Sequence, residues 1–288
     1  MNRVVMPPLK RQVSEPLLGP SDPPPFEFVD RRDMTRYLVV ADHAGNAVPA
    51  SLQGLGLAQR VFSEHIAVDI GSRATAMLIA QRLGASLVMG NYSRLVVDLN
   101  RDLDDPTAFI PESDGVAIPG NRDLGVDEKR QRSAAIFQPY HAAIDNLIDD
   151  FLLKGTVPVM ISVHSFTPVL GNRRRPWHIG VLWDKDPRIA LPLLEKLRQD
   201  RDLVVGDNEP YSGHHHADYT VDNHAEGRGL ANVSIEIRQD LLHDKAGVER
   251  WTALLVDALT EILADETLYK SIESDPIDFR GGNLNGNP

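Results

Sequence analysis

Short apolar runs alternate with longer helical patterns along most of this 288-residue chain, and this alternation restricts its fold more than any other feature. Strands that are separated by helices form βαβ units, in which a mostly parallel sheet is covered by helices on both faces. The sequence therefore predicts a single α/β domain. The predicted strands are 37–41, 85–89, 95–99, 157–163, 178–183 and 233–237, and the predicted helices are 66–83, 127–153, 186–201 and 246–264.

The two ends of the chain differ from this pattern. Residues 1–33 contain seven prolines, which lack a backbone donor and disfavour both helix and sheet. We expect an irregular N-terminal arm there, with apolar anchors such as Leu17 and Phe26. The α/β domain is expected at 34–273, and a polar tail rich in glycine and asparagine at 274–288.

Composition removes several classes of function. The chain has no cysteine, which excludes disulfides, thiolate metal sites and cysteine nucleophiles. Any metal must be held by imidazole and carboxylate groups. The net charge of −11 at pH 7 argues against nucleic-acid and membrane partners, and a homo-oligomer is compatible with it. Because we find neither a signal-peptide pattern nor a long apolar run, we expect a cytoplasmic protein.

Ionisable and polar residues follow four of the predicted strands where each strand ends. Ligands of open α/β sheets bind outside the carboxyl ends of the strands. The convergence of these residues therefore predicts a catalytic site at one edge of the sheet. They are Asp42 and His43 after the first strand, Asp98, Asn100 and Arg101 after the third, His164 after the fourth, and Glu236 and Arg238 near the end of the last.

His43 and His164 are the candidate metal ligands. Two imidazoles with an oxygen ligand and one open position are typical of catalytic zinc sites. Each histidine also has a simpler interpretation, since His43 could lie in a surface loop and His164 could be a hydrogen-bonded core residue.

Asp69 is the candidate third ligand. It falls on the apolar face of the predicted helix at 66–83, where a carboxylate needs a partner. That partner is either a metal or Arg73, one helical turn later. Glu64 and His65 are the alternative ligands.

Glu236 and the arginines complete the predicted site. Glu236 lies on the opposite strand face to its apolar neighbours. It is either a general base that activates water or the ion-pair partner of Arg238 or of a lysine. A guanidinium can grip a substrate carboxylate with two hydrogen bonds. The candidates for substrate binding are Arg94, Asn100, Arg101, Arg228, Arg238 and His224.

Two further runs are assigned to loops. The histidines at 214–216 are consecutive, and successive residues cannot easily face one ion. The basic run at 173–175 precedes Trp177, but one such run on an acidic protein is more typical of a solvated loop than of a nucleic-acid surface.

Five sequence blocks lie in order along the chain: DHAGN at 42–46, HIAVDIG at 65–71, SRLVVDLNR at 93–101, SVHSF at 162–166 and IEIRQDL at 235–241. Together they resemble the N-formylglutamate amidohydrolase family. The resemblance spans about 38–242, and the third and fifth blocks are fairly specific. It implies a zinc hydrolase with a phosphorylase/hydrolase-like α/β fold, two histidines and an acid on zinc, and a strand-end glutamate as base.

The leading hypothesis is zinc-dependent hydrolysis of a small acidic N-acyl amino acid, with N-formylglutamate as the default substrate that the family implies. The block around His43 lacks the proline and serine that members in histidine degradation carry there. One alternative is a peptide or muropeptide amidase, or a carboxypeptidase-like hydrolase, on the same scaffold. Another is a binding protein without catalytic activity, whose acids and histidines form only structural ion pairs.

Overall fold

The computed structural model describes residues 16–213 and 218–272. The first fifteen residues of the expected arm, the histidines at 214–216 and the expected tail at 274–288 lie outside the described residues. Throughout the described ranges, no helix is both long and apolar enough to cross a membrane.

The helices and strands follow the predicted alternation closely. The helix predicted from 127 to 153 begins at Val126 and contains a π-helical turn at Ser133–Phe137. The helices are α1 (Ser72–Leu83), α2 (Val126–Arg132), α3 (Gln138–Leu153), α4 (Ala190–Leu197), α5 (Tyr219–His224) and α6 (Lys245–Ile262). The strands are β1 (Phe26–Val29), β2 (Tyr37–Ala41), β3 (Ser86–Gly90), β4 (Glu112–Ser113), β5 (Val116–Ala117), β6 (Val159–Phe166), β7 (Val169–Leu170), β8 (Arg173–Arg174), β9 (Ile179–Leu182), β10 (Val205–Asp207) and β11 (Asn232–Arg238).

Seven strands form one mixed sheet in the order β1-β3-β2-β6-β11-β9-β10. The four central strands β3, β2, β6 and β11 are parallel to one another. Antiparallel pairing occurs between β1 and β3 and between β11 and β9. The predicted single α/β domain with a mostly parallel sheet is therefore confirmed.

Because side chains alternate along each strand, the core consists of two clusters, one on each face of the sheet. Val39 and Ala41 of β2 pack on one face, in a cluster that includes apolar residues of α1, α4 and α6. Leu38 and Val40 pack on the other face, against α3 and the segment around 95–99. Helices thus cover both faces, as predicted, and the strands are buried on both sides.

The strand predicted at 95–99 is wrong. This run is buried, but it forms a turn in which Val96 N donates to Ser93 O at 2.9 Å. Side chains satisfy its carbonyls instead of a neighbouring strand: Asn121 donates to Leu95 O and Arg132 donates to Val96 O. An apolar run can therefore be fully buried without pairing in a sheet.

The expectation of an irregular arm up to residue 33 is wrong at one place, because β1 lies within it. Prolines precede β1 but do not interrupt it, and among the described residues β1 is an edge strand that pairs only with β3. An edge position tolerates nearby prolines because one side of the strand needs no ladder hydrogen bonds. Leu17 is buried, as expected of an anchor.

The segments around the site contain more local structure than their polar composition suggests. The helix predicted from 66 begins only at Ser72, so Asp69 lies in the preceding turn. The polar segment 101–123 holds the β4–β5 hairpin. In the segment 207–230, Asp218 caps α5 by accepting a hydrogen bond from Val221 N.

Candidate active site

Three adjacent parallel strands bring the main candidate residues together. His43 follows β2 by two residues, His164 lies near the end of β6, and Glu236 lies near the end of β11. His164 and Glu236 are direct partners in the β6–β11 register. All three side chains are buried, so the strand order β2-β6-β11 builds one compact group at the carboxyl edge of the sheet.

Asp69 reaches this group from the turn before α1. Its backbone N–H donates to His43 O at 3.0 Å, which ties the turn to the loop after β2. Gly71 ends the turn with a φ of 84°, and a Cβ there would lie 2.4 Å from Leu242 Cβ. A glycine is needed at this position for both reasons.

The two imidazoles converge on the carboxylate of Asp69. His164 Nδ1 lies 2.9 Å and His43 Nδ1 lies 3.5 Å from Asp69 Oδ2. One potential ligand atom from each of the three residues lies within 4.8 Å of the others. This buried His43–Asp69–His164 cluster has the donor set of a catalytic zinc site.

The outer nitrogen of each imidazole faces a second carboxylate. His43 Nε2 lies 2.7 Å from Asp98 Oδ1, and His164 Nε2 lies 3.3 Å from Asp42 Oδ2. Carboxylates that hold the far side of an imidazole fix its orientation and increase its basicity as a ligand. Arg94 in turn donates two hydrogen bonds to Asp98 Oδ2.

The electrostatics of the cluster favour a cation. Burial would raise the pKa of Asp69, but the charges and hydrogen bonds of both histidines outweigh it and lower that pKa. Burial would likewise lower the pKa of His164, yet hydrogen bonds with Asp42 and Asp69 raise it well above its ordinary value. Positive charge at the point where the ligand atoms meet thus stabilises the buried carboxylates, which favours binding of a cation there.

Glu236 is the acid that differs from the others. Burial raises its pKa to about 7, although the neighbouring charge of His164 opposes this shift. Its Oε2 atom is buried and has no hydrogen-bond partner among the described residues, and the same holds for His43 Nδ1. Orphaned buried polar atoms are uncommon and are often explained by a ligand or a catalytic role.

A cavity of about 220 Å³ opens onto the cluster. Seven of the ten residues predicted for the site line it. They are His43, Asp69, Arg94, Asn100, Arg101, His164 and Glu236.

The other three predicted residues are not among its lining residues in the described part of the chain. Arg228 pairs with Asp145 and Asp149 on α3, and Arg238 pairs with Asp240. Each guanidinium is thus neutralised by acids away from the cavity.

His224, the third of these, points at His141, and the two ring nitrogens lie 2.8 Å apart. The alternative third ligands also lie elsewhere, since His65 pairs with Asp114 at 3.2 Å and Glu64 is exposed. The alternative partner of Asp69, Arg73, pairs with Glu27 instead.

The sequence interpretation missed several residues at the site. The strand-end pattern marks Asp42 and Asp98 only as acids, whereas each faces the outer nitrogen of an imidazole. Tyr211 and Asp218 line the cavity from the loop between β10 and α5. The length and polar character of this loop are typical of a functional segment, but no local pattern singles out these two residues within it.

Comparison with known proteins identifies the family of this chain. The model of a family described as N-formylglutamate amidohydrolase matches residues 35–243. The chain belongs to this family. The match covers all three strands that carry the candidate residues, and membership of the N-formylglutamate amidohydrolase family makes the protein an amidohydrolase. A search of curated proteins found no match.

Two solved structures resemble the chain over most of its length. One is the gene product Atu2144 from Agrobacterium tumefaciens, with 32% identity, a TM-score of 0.82, and coverage of 86% of this chain and 98% of that chain. The other is the N-formylglutamate amidohydrolase from Ralstonia eutropha JMP134, with 18% identity and a TM-score of 0.57. It covers 83% of this chain and 97% of its own, and it supports the fold.

Proposed function

We propose that this amidohydrolase uses one zinc ion to hydrolyse the amide bond of a small acidic N-acyl amino acid, with N-formylglutamate as the leading substrate. The observation that supports this most is the buried His43–Asp69–His164 cluster, which shares a cavity with the unpartnered carboxylate of Glu236. Family membership supports the amide as the bond that is cleaved.

The residues present fit a divalent metal. Nδ1 of His43 is buried without a hydrogen-bond partner in the described part of the chain, although it points toward Asp69. With no cysteine available, two imidazoles and one carboxylate are a donor set that suits zinc. Bound there, zinc supplies a Lewis acid that favours ionisation of water at neutral pH and polarises an amide oxygen.

Glu236 is proposed as the general base and acid. Its pKa of about 7 is suited to taking a proton from an attacking water near neutral pH. The same carboxyl group then returns that proton to the nitrogen of the leaving amine as the amide C–N bond breaks. Its place beside His164 in the sheet register keeps it next to the proposed metal ligands.

Two arginines are proposed to bind the substrate. Arg94 is held in place by the two hydrogen bonds that its guanidinium donates to Asp98. Its Nη1 lies 3.6 Å from Asp69 Oδ1. It is therefore positioned to stabilise negative charge that develops on the amide oxygen. Arg101 lines the same cavity and is our candidate for the α-carboxylate, with Asn100 beside it.

The test is hydrolysis of N-formylglutamate by the wild type and by Glu236→Gln, with zinc content measured on the same preparations. We expect the wild type to lose activity to a chelator and to regain it with zinc. The glutamine variant should keep its zinc, while its turnover falls at least about a hundredfold, since general acid–base catalysis contributes about 10²–10⁴-fold. Full activity of this variant would remove Glu236 from the mechanism, and loss of zinc would make it a ligand.

A further inference from the structure

Arg175 packs beside the cavity, although its basic run is typical of a solvated loop. It follows the β7–β8 hairpin, and its backbone N–H donates to Pro168 O at 2.9 Å. Its guanidinium carbon lies 4.7 Å from the ring centre of Tyr211 and 5.9 Å from that of Phe166. Its Nη1 donates to Tyr211 Oη at 2.9 Å. The side chain is therefore held in one direction by stacking and by a hydrogen bond.

Tyr211 connects this arginine to the reaction site. Its side chain lines the cavity and is 43% exposed, which puts it at the cavity mouth. Burial and the charge of Glu236 raise the pKa of Tyr211, while the charges of Arg175 and Arg94 oppose that shift. The phenol thus lies within the electrostatic reach of both Glu236 inside the cavity and Arg175 at its edge.

Most of the arginines proposed from the sequence form an ion pair, and within the described part of the chain Arg175 does not. Arg94, Arg228 and Arg238 each form an ion pair with an aspartate. Among the described residues, the Arg175 guanidinium forms no such ion pair, and its hydrogen-bond partner is Tyr211. A guanidinium has five N–H donors, of which the contact with Tyr211 uses one. The remaining donors leave room for a planar, bidentate grip on an anion.

We propose that Arg175 and Tyr211 form a carboxylate-binding clamp at the cavity mouth, which selects N-acyl amino acids with an acidic side chain. The inference rests on the proposed function and specifies its substrate class. In this arrangement the amide would lie at the His43–Asp69–His164 cluster beside Arg94. Arg101 would hold the α-carboxylate, and Arg175 would receive the side-chain carboxylate. A site built to pair with a charged group discriminates strongly against a substrate that lacks it.

The kinetic test compares Arg175→Gln with the control Arg174→Gln, which removes the same charge from an exposed position of the same hairpin. The substrates are N-formylglutamate and N-formylleucine, which share the α-carboxylate and differ in the side chain. For Arg175→Gln we expect the KM for N-formylglutamate to rise about tenfold to hundredfold, as loss of a charge-assisted hydrogen bond predicts, with kcat nearly unchanged. The values for N-formylleucine should not change, and Arg175→Lys should restore part of the loss.

A binding measurement makes the test independent of turnover. Calorimetry on the zinc-loaded wild type should show glutarate binding at least tenfold more tightly than to Arg175→Gln, while pentanoate, with one carboxylate, binds both proteins equally. If no N-formyl amino acid is hydrolysed but this difference holds, the proposed reaction fails and the clamp stands. Equal effects of the two arginine changes on KM, or equal glutarate affinities, would overturn the clamp alone. Absence of glutarate binding to the wild type would overturn it as well.

Discussion

Burial and the neighbouring His224 hold His141 of α3 in its neutral form. Its Nε2 lies 2.9 Å from Leu99 O and donates to it, and in the neutral ring its Nδ1 accepts a hydrogen bond from His224 Nε2 at 2.8 Å. The other nitrogen of His224 lies 2.9 Å from Asp145 Oδ1. A proton on His141 Nδ1 would occupy the lone pair that accepts the hydrogen bond from His224, so protonation of His141 requires this contact to rearrange.

The cost of that rearrangement can be estimated from the pKa. Burial and the charge of His224 lower the pKa of His141 to about 3, against about 6.5 in an unfolded chain. Below pH 6.5 His141 binds a proton in the unfolded chain but not in the folded chain. The free energy of unfolding therefore falls as the pH drops toward 3. At about 1.4 kcal/mol for each pKa unit, the loss between pH 7 and pH 5 is about 2 kcal/mol.

Urea unfolding of the wild type and of His141→Gln at pH 5, 6 and 7 measures this contribution. Glutamine offers a donor and an acceptor but does not titrate in this range. The stability advantage of the wild type over the variant should therefore shrink by about 2 kcal/mol from pH 7 to pH 5. The comparison cancels the titrating groups that do not contact His141, which both proteins share. If the two stabilities change in parallel with pH, the assignment of His141 as a neutral buried group is wrong.

Two other substitutions test the electrostatics around the site. Burial and the charge of Asp218 raise the pKa of Asp222 to about 8, so its cost to folding grows as the pH rises from about 4 to 8. Asp222→Asn should raise the melting temperature more at pH 8 than at pH 5, and an equal gain at both would contradict this. Asp98→Asn removes the carboxylate that orients the His43 imidazole. The dissociation constant for zinc should therefore rise about 10–100-fold. Unchanged zinc affinity would show that Asp98 serves another purpose.

The parts of the fold and site that the sequence predicts are those set by local periodicity. β2, β6 and β11 are buried apolar runs, and the residues at their carboxyl ends follow from strand direction, so the sequence alone is enough to group His43, His164 and Glu236. The run at 95–99 could not be assigned in this way, because its carbonyls are satisfied by Asn121 and Arg132, which lie 26 and 36 positions away from their partners.

Pairings between distant loops account for the remaining errors. Arg228 is a reasonable candidate for substrate binding by its sequence position, but its acidic partners on α3 lie 79 and 83 positions earlier in the chain. The contact between Arg175 and Tyr211 joins two loops that are 36 positions apart. Asp69 stands out for its place among apolar residues, yet it lies in a turn whose position depends on the backbone of His43. No periodic pattern encodes such contacts.

Zinc stoichiometry tests the proposed metal centre most directly. Protein purified without a histidine tag and stripped with a chelator would be titrated with zinc by calorimetry, for the wild type and for His43→Ala and His164→Ala. His65→Ala is the matched control, because His65 lies near the site in sequence but pairs with Asp114. We predict one tightly bound zinc ion in the wild type and in the control, and none in the two site variants. A wild type that binds no zinc tightly, or site variants that bind it as well as the control, would contradict the proposed metal centre.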